Sequence, residues 1–237
     1  MSIVQIWKIL LLVLVMFVLA IGIKTLINSL SFQLFGKIYP RINTNEKVIA
    51  LTFDDGPSEM ADTILSILDQ QNIKATFFLI GDSIQQNFSK TVRIVTAGHE
   101  IGNHSYTHDR LIFKSYKTIQ EEIQQTDALI RKAGYDKDIH FRPPYGKKFL
   151  VLPYYLKSNN RKTIMWDIGP DILPEVASDS KKITEHIVNN ANNGSIVILH
   201  AMNKANRQTI RALEETITQL KSNGFEFKTV SELLQYE

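Results

Sequence analysis

The feature that most restricts the fold of this chain is a regular alternation of strand-like and helix-like segments. Short apolar runs recur about every 25–30 residues through most of the 237-residue chain. Such alternation is typical of parallel strands joined by helical crossovers, and this many runs favour a closed or partly closed barrel over an open sheet. The predicted strands cover residues 48–53, 75–80, 99–103, 139–142, 163–168, 195–200 and 225–230.

Between these runs, apolar side chains spaced three and four residues apart predict helices. The first helix is expected to begin at an N-cap at Ser58, and the next to cover residues 82–98. Two later helices are expected to end at Gly134 and Gly224, because glycine suits the residue after a helix. In a barrel of this kind the chemistry collects at the C-terminal ends of the strands, so a functional site is expected there.

The N-terminal segment differs from the rest of the chain. Residues 9–23 form an uninterrupted apolar run between Lys8 and Lys24, without the polar face of a soluble core helix. With its apolar flanks the run is long enough to cross a bilayer, and a signal cleaved near residues 20–22 is the alternative. Both place the remainder outside the cytoplasmic membrane. The expected organisation is an anchor or signal at 1–30, a linker at 31–46 and one folded domain at 47–237.

Charge and cysteine content exclude several classes of function. The chain has 27 basic and 24 acidic residues, a net charge of +3 and no charge block, so a nucleic-acid partner is not expected. It has no cysteine, which excludes disulfides, thiolate metal sites and cysteine nucleophiles. We expect a monomer.

Two adjacent carboxylates, Asp54 and Asp55, directly follow the first predicted strand. Neighbouring carboxylates repel, and burying either is costly unless positive charge lies beside it. His104 and His108 follow the third strand and would share one face of a helical turn. One carboxylate and two imidazoles are the usual composition of a hydrolytic zinc site. A histidine pair alone is more often structural, but the aspartates at a neighbouring strand end favour metal binding.

Four short motifs lie at these strand ends. They are TFDDGP at 52–57, HSYTH at 104–108, RPPYG at 142–146 and ILH at 198–200. In order and spacing they resemble the polysaccharide deacetylases, carbohydrate esterase family 4 with the NodB homology domain. The resemblance covers about residues 46–234 and implies an irregular (β/α)7–8 barrel of the NodB type. The motifs are most similar to those of Bacillus-type peptidoglycan or chitooligosaccharide N-acetylglucosamine deacetylases.

The resemblance implies a metal-binding set of Asp55, His104 and His108. Zinc is the expected ion, with cobalt or manganese as alternatives. A bound divalent ion would polarise the N-acetyl carbonyl and lower the pKa of a water molecule. The products would be acetate and a free glucosamine amine.

The resemblance also implies catalytic residues beside the metal. Asp54 would be the general base, and Arg142 would lie beside it and keep it ionised. The backbone N–H of Tyr145 would stabilise the oxyanion. His200 would protonate the departing amine as general acid.

The segment after the fifth predicted strand departs from the family pattern. The family usually has an Asp-Trp pair there, which orients the acid histidine and forms the wall of the acetyl pocket. Here Asp171 takes the aspartate role one position early, no tryptophan follows, and Leu173 is expected to supply the apolar wall. Trp166, Ile198 and Tyr145 are the other residues expected to contact substrate.

The predicted function is therefore metal-dependent hydrolysis of the acetamide of N-acetylglucosamine in cell-wall glycan. The expected partners are this glycan and, through the N-terminal helix, the cytoplasmic membrane. The enzyme would be a single-pass membrane protein with an extracellular domain, or secreted if the N-terminal segment is cleaved. The alternatives are a chitooligosaccharide or N-acetylmuramic acid deacetylase, or a catalytically weak wall-binding scaffold.

Overall fold

Short parallel strands form the centre of the fold in this computed structural model, which describes residues 2–203 and 205–237. The longest strand is continuously buried along almost its whole length, as expected where helices cover a parallel sheet. The strands are β1 Ile38–Tyr39, β2 Val48–Gly56, β3 Thr76–Leu79, β4 Glu100–Asn103, β5 Thr163–Ile164, β6 Ser195–Leu199 and β7 Glu226–Lys228.

Helices surround the strands. Short 3-10 turns occur at Pro144–Gly146, Pro170–Ile172 and Leu234–Tyr236. The α-helices are α1 Ile3–Asn28, α2 Ala61–Gln70, α3 Gly81–Gln86, α4 Phe88–Thr96, α5 Tyr116–Lys132, α6 Val151–Ser158, α7 Pro174–Ala177, α8 Ser180–Asn190, α9 Arg207–Ser222 and α10 Val230–Leu233.

Two helix predictions were wrong in detail. Ser58 is not the N-cap of α2, because the helix begins only at Ala61. The Ser58 hydroxyl accepts the Met60 backbone N–H at 3.2 Å and donates to the backbone oxygen of Met202 at 2.6 Å. The predicted helix over residues 82–98 is divided into α3 and α4 at Asn87, whose backbone is not helical.

The strands close into the predicted barrel. β4, β3, β2 and β6 are neighbours in that order and run parallel, and β7 also pairs with β2. Isolated parallel bridges continue the ring from Asn103 to Phe141, from Phe141 to Thr163 and from Ile168 to Val197. The strand predicted at 139–142 is thus reduced to bridges at Phe141, because the two prolines that follow Arg142 cannot donate ladder hydrogen bonds.

Part of the segment predicted as a linker is built into the barrel. β1 pairs with β5, and the backbone N–H of Ile42 donates to Gly194 O at 2.9 Å. Tyr39 and Ile42 are buried. The domain boundaries at residues 30 and 46 stay a prediction.

Alternation along β2 decides which side chains enter the barrel. Val48 and Ala50 pack in an interior cluster, whereas Ile49 and Leu51 pack against the surrounding helices. Because successive side chains on a strand point to opposite faces, Asp54 belongs to the interior row. Its carboxylate therefore lies inside the barrel at the C-terminal end of the strand.

Helix α1 is long and apolar enough to cross a membrane, by length and composition, and none of its apolar window is buried. A signal sequence near an N-terminus passes the same test.

Candidate active site

Asp54 and Asp55 line the same cavity, although strict alternation would point them apart. Asp54 is only 1% exposed. At Asp55 the backbone is left-handed, with φ 67°, and the pairing of β2 with β3 shifts register between Phe53 and Gly56. Aspartate tolerates this conformation better than most residues, and the irregularity turns the second carboxylate to the side of the first.

A loop, not the expected helical turn, carries His104 and His108. Left-handed backbone at Ser105 and His108, with φ 66° and 62°, reverses the chain so that the two imidazole rings lie 4.9 Å apart. Oδ1 of Asp55 is 3.2 Å from Nε2 of His108 and 3.6 Å from Nε2 of His104. The predicted metal-binding residues are therefore brought together, by a geometry other than the one anticipated.

The chemistry of this cluster suits a divalent cation. Nδ1 of His104 donates to the backbone oxygen of Arg142 at 2.8 Å, which leaves the Nε2 lone pair facing the carboxylates. Oδ1 of Asp55 is buried and has no hydrogen-bond partner among the described residues. One ligand atom from each of Asp55, His104 and His108 lies within 4.8 Å of the others.

Protonation states agree with ligand chemistry, which needs an ionised carboxylate and neutral imidazole. Burial by itself raises the pKa of Asp55, but the neighbouring histidines outweigh it and lower the pKa to about 2. Burial lowers the pKa of His104. At neutral pH Asp55 is thus charged and His104 is neutral.

Glu122, which the sequence analysis missed, holds the histidine loop. It projects from α5 and accepts the backbone N–H groups of Tyr106 (2.8 Å) and Thr107 (2.9 Å). Its other oxygen accepts the Thr107 hydroxyl at 2.9 Å. The sequence did contain a sign of this role. Glu122 directly precedes buried Ile123 on an amphipathic helix, and an acidic side chain near the buried face needs hydrogen-bond partners.

Arg142 fixes the orientation of Asp54 from inside the barrel. The fully buried guanidinium donates from Nη1 to Asp54 Oδ1 at 2.6 Å and to Thr52 Oγ1 at 2.8 Å. Nη2 donates to the backbone oxygen of Met165 at 2.9 Å. Oδ2 of Asp54 remains on the cavity side, 3.6 Å from Nε2 of His104.

His200 and Asp171 form a second acid–histidine pair in the same cavity wall. Oδ1 of Asp171 lies 3.0 Å from Nδ1 of His200, and its Oδ2 accepts the His200 backbone N–H at 2.6 Å. Burial alone lowers the pKa of His200, but the hydrogen bond with Asp171 and the charges of Asp171, Asp54 and Asp55 raise it to about 9. The imidazole is therefore protonated at neutral pH.

The cavity measures about 300 Å³ and combines these polar groups with apolar walls. Its lining residues are Asp54, Asp55, His104, His108, Pro143, Tyr145, Gly146, Trp166, Ile172, Ile198 and His200.

Leu173 is not among the lining residues, and Ile172 lines the cavity instead. The 3-10 turn Pro170–Ile172 presents Ile172 to the cavity, while the backbone oxygen of Leu173 accepts the first hydrogen bonds of α7. Tyr145 lies at the rim with φ 57°, its ring 4.6 Å from that of His108.

This arrangement is a candidate metal site at the strand ends of a parallel barrel, with the ligand types that hydrolytic zinc sites use. The family model described as polysaccharide deacetylase matches residues 41–164. A peptidoglycan-N-acetylglucosamine deacetylase of Bacillus cereus is 34% identical over 207 residues, covering 85% of this chain and 95% of that protein. The chain therefore belongs to the polysaccharide deacetylase family.

Two further relatives agree with this assignment. The peptidoglycan-N-acetylmuramic acid deacetylase PdaA of Bacillus subtilis is 31% identical over 198 residues, covering 81% of this chain and 73% of that protein. The crystal structure of a peptidoglycan N-acetylglucosamine deacetylase in complex with 4-naphthalen-1-yl-N-oxidanyl-benzamide has a TM-score of 0.77 and 30% identity. That match covers 82% of this chain and 91% of the solved chain.

Proposed function

We propose that this protein is a metal-dependent hydrolase that removes the acetyl group from N-acetylglucosamine residues of peptidoglycan. The observation that carries the proposal is the different bonding of the two adjacent aspartates. Asp55 has a buried oxygen between two imidazoles that has no hydrogen-bond partner in residues 2–203 and 205–237, whereas Asp54 is held by Arg142. This difference supports a division of roles in which Asp55 would bind a cation and Asp54 would accept a proton.

Asp55, His104 and His108 would hold the metal ion. Their nitrogen and oxygen donors suit zinc, with cobalt or manganese as alternatives. When bound, the ion would act as a Lewis acid on the acetamide oxygen and lower the pKa of a water molecule. The bond between His104 and the backbone oxygen of Arg142 keeps the ligand nitrogen free and the ring oriented.

Asp54 would act as the general base. Its Oδ1 is occupied by Arg142, so its Oδ2 is the atom that would take the proton of the attacking water. The buried guanidinium also compensates the negative charge of the carboxylate.

His200 would act as the general acid. It is protonated at neutral pH because its pKa is raised to about 9, and Asp171 fixes its Nδ1. Its Nε2 would therefore give a proton to the amine nitrogen as the C–N bond breaks. Water supplies the oxygen of the acetate, and the proton taken by Asp54 balances the one given by His200.

Tyr145 and the apolar wall would position the acetamide. The turn at Pro144–Gly146 sets the backbone of Tyr145 at the cavity rim, where its N–H would stabilise the oxyanion. Trp166, Ile198 and Ile172 line the cavity and would contact the acetyl methyl group.

The protein would act on glycan outside the cytoplasmic membrane, held there as a monomer by α1. A helix long and apolar enough to cross a bilayer supports this placement.

The test is acetate release by the purified full chain in detergent, with zinc or cobalt restored after chelation. We expect release from N-acetylglucosamine oligomers or peptidoglycan, reduced about 10²–10⁴-fold in Asp54→Asn, which removes the general base. Bound metal should be unchanged, and exposed Asp69→Asn is the matched control.

Analysis of which sugar carries the new amine separates N-acetylglucosamine from N-acetylmuramic acid as substrate. If the metal-loaded chain releases no acetate from any of these glycans, the scaffold alternative replaces the proposed activity.

A further inference from the structure

A second cavity lies where the C-terminal end of α1 meets two loops next to the active site. It measures about 420 Å³. Arg110, Phe113 and Lys147 line it from the barrel, and Lys24 lines it from α1. Three of its lining residues are basic, and none of those described is acidic. The adjacent Asp109 is paired with Lys114 at 3.3 Å.

The end of α1 is bonded to the active-site segment. The backbone N–H of Lys148 donates to the backbone oxygen of Ile27 at 3.4 Å. The buried amino group of Lys148 donates to the backbone oxygen of Ser29, and Lys147 donates to the side chain of Asn28. The loops of this cavity are therefore fixed at the level of the last turns of α1.

This level corresponds to the surface of a bilayer that α1 would span. The 26 residues of α1 correspond to about 39 Å of helix, compared with roughly 30 Å of hydrocarbon. Lys24 ends the apolar run and marks the interface. Ala20 and Ile23, up to one turn deeper, line the same cavity as Phe113, which places Phe113 at the boundary between headgroups and acyl chains.

Phe113 is a large apolar side chain that is exposed to solvent. Its side chain is 71% exposed, and its backbone is left-handed with φ 56°. One edge of its ring packs against Phe149, with 5.3 Å between ring centroids. Aromatic rings are favoured at the membrane–water interface, where this exposure would be removed.

We propose that this surface, formed by Lys24, Arg110, Phe113 and Lys147, binds the headgroups of anionic phospholipids in the bilayer that α1 spans. The three cations contact the lipid phosphates, and Phe113 enters the boundary with the acyl chains. The inference rests on membrane anchoring by α1, which is part of the proposed function, but it does not require deacetylase activity.

The lipid surface and the active site share a wall. The guanidinium of Arg110 lies 5.1 Å from the ring centroid of Tyr145, and Tyr145 lines the active-site cavity. Lipid contact at Arg110 therefore holds the mouth of the active site close to the bilayer. The active site would then act on the glycan nearest the membrane.

The first test measures depth with spin labels. The chain has no cysteine, so Phe113→Cys, Val15→Cys and Lys181→Cys each carry one label in vesicles of phosphatidylcholine and phosphatidylglycerol. The depth of each spin label is measured from its collision rates with oxygen, which concentrates in the hydrocarbon, and with a water-soluble nickel complex, which stays in water. We expect the Val15 label in the hydrocarbon, the Phe113 label at the interface and the Lys181 label in water.

A Phe113 label as water-exposed as the Lys181 label overturns the lipid surface while leaving anchoring intact. A water-exposed Val15 label overturns the anchor and, with it, the inference. The depths of the Phe113 and Val15 labels are also measured in the Asp54→Asn variant. Loss of deacetylase activity should leave both depths unchanged.

The second test examines the charges. Protein purified from mixed vesicles should retain phosphatidylglycerol enriched roughly fivefold over its bulk ratio. The enrichment should disappear in the triple variant Lys24→Gln, Arg110→Gln and Lys147→Gln. A matched triple variant at exposed Lys181, Lys182 and Arg211 should keep it. Equal enrichment in both triple variants, or none in the native chain, contradicts the proposal.

Discussion

Buried acid–histidine clusters lie at both ends of the barrel, and their hydrogen bonding differs. At the N-terminal ends of the strands, Glu100 accepts the Ser231 hydroxyl (2.6 Å), the Ser231 backbone N–H (3.0 Å) and the Thr76 hydroxyl (2.7 Å). His140 lies 3.0 Å from the Ser231 hydroxyl. At the C-terminal ends, Asp55 faces His104 and His108 with an oxygen that accepts no hydrogen bond from the part of the chain that the structure describes.

The difference separates a structural cluster from a candidate site, although both combine a carboxylate with imidazole. A buried acceptor with all its bonds stabilises the folded state, while one without partners destabilises it unless a ligand compensates. Glu100 ties β3 and β4 to α10, and Asp55 leaves free the atom that a cation would take.

The largest expected effect is at Asp55. Asp55→Asn should lower zinc affinity by more than the roughly 10–100-fold typical of residues behind a ligand, and acetate release should be lost. The metal-free protein should keep its free energy of unfolding, because asparagine also tolerates left-handed backbone and the replaced oxygen makes no hydrogen bond among the described residues. Zinc titration and urea unfolding of the metal-free chain measure the two effects. A large loss in the free energy of unfolding of the metal-free protein would show that Asp55, like Glu100, stabilises the fold, and would contradict the contrast between the two clusters.

Asp171→Asn should lower kcat about 10²–10⁴-fold at pH 8. His200 is active when protonated, and its pKa of about 9 lets activity persist to that pH before it declines. Removing the Asp171 charge lowers this pKa, so the decline should begin at a lower pH. A pH profile of kcat/KM measures the shift, with Asp69→Asn as control. An unchanged alkaline limb would exclude Asp171 as the residue that tunes His200.

Glu122→Ala should reduce metal affinity about 10–100-fold without removing a ligand. It removes the only side-chain oxygen atoms shown to accept the N–H groups of Tyr106 and Thr107, so the loop bearing His108 loosens. Zinc titration measures this, and Glu121→Ala is the matched control, since Glu121 lies 3.8 Å from exposed Lys117 on the same helix. Equal zinc affinity in the two variants would show that the loop does not depend on Glu122.

The smallest effect on the site is expected from Glu100→Gln. It should lower the free energy of unfolding by about 2 kcal/mol, because one of three accepted hydrogen bonds is lost in a buried position. Metal affinity and kcat should stay at native values. Urea unfolding measures the free energy of unfolding, with the exposed variant Glu226→Gln as control. Any loss of zinc binding in Glu100→Gln would mean that the two ends of the barrel are coupled.

Much of the site was predictable because parallel strands bring their C-terminal ends together. That rule alone groups Asp54, His104 and His200, which are far apart in the chain. The barrel prediction was confirmed for the same reason, since the spacing of apolar runs follows the repeating strand–helix unit.

The failures lie where the chain reverses direction. Leu173 was expected in the cavity wall, but the 3-10 turn before it presents Ile172. His104 and His108 were expected on a helical turn, but left-handed residues fold the segment as a loop. Such turns depend on distant contacts, here with Glu122 on α5, that a local pattern does not contain.

The sequence by itself determined the barrel, the apolar N-terminal helix and the residue types of the site, because periodicity and motif order are local properties. Only the tertiary structure decided which carboxylate is satisfied, which oxygen remains free and which surface faces α1. Those outcomes depend on contacts between residues far apart in the chain, such as Glu100 and Ser231, which are 131 positions apart. The resulting difference between satisfied and unsatisfied buried groups separates the structural end of the barrel from its candidate active site.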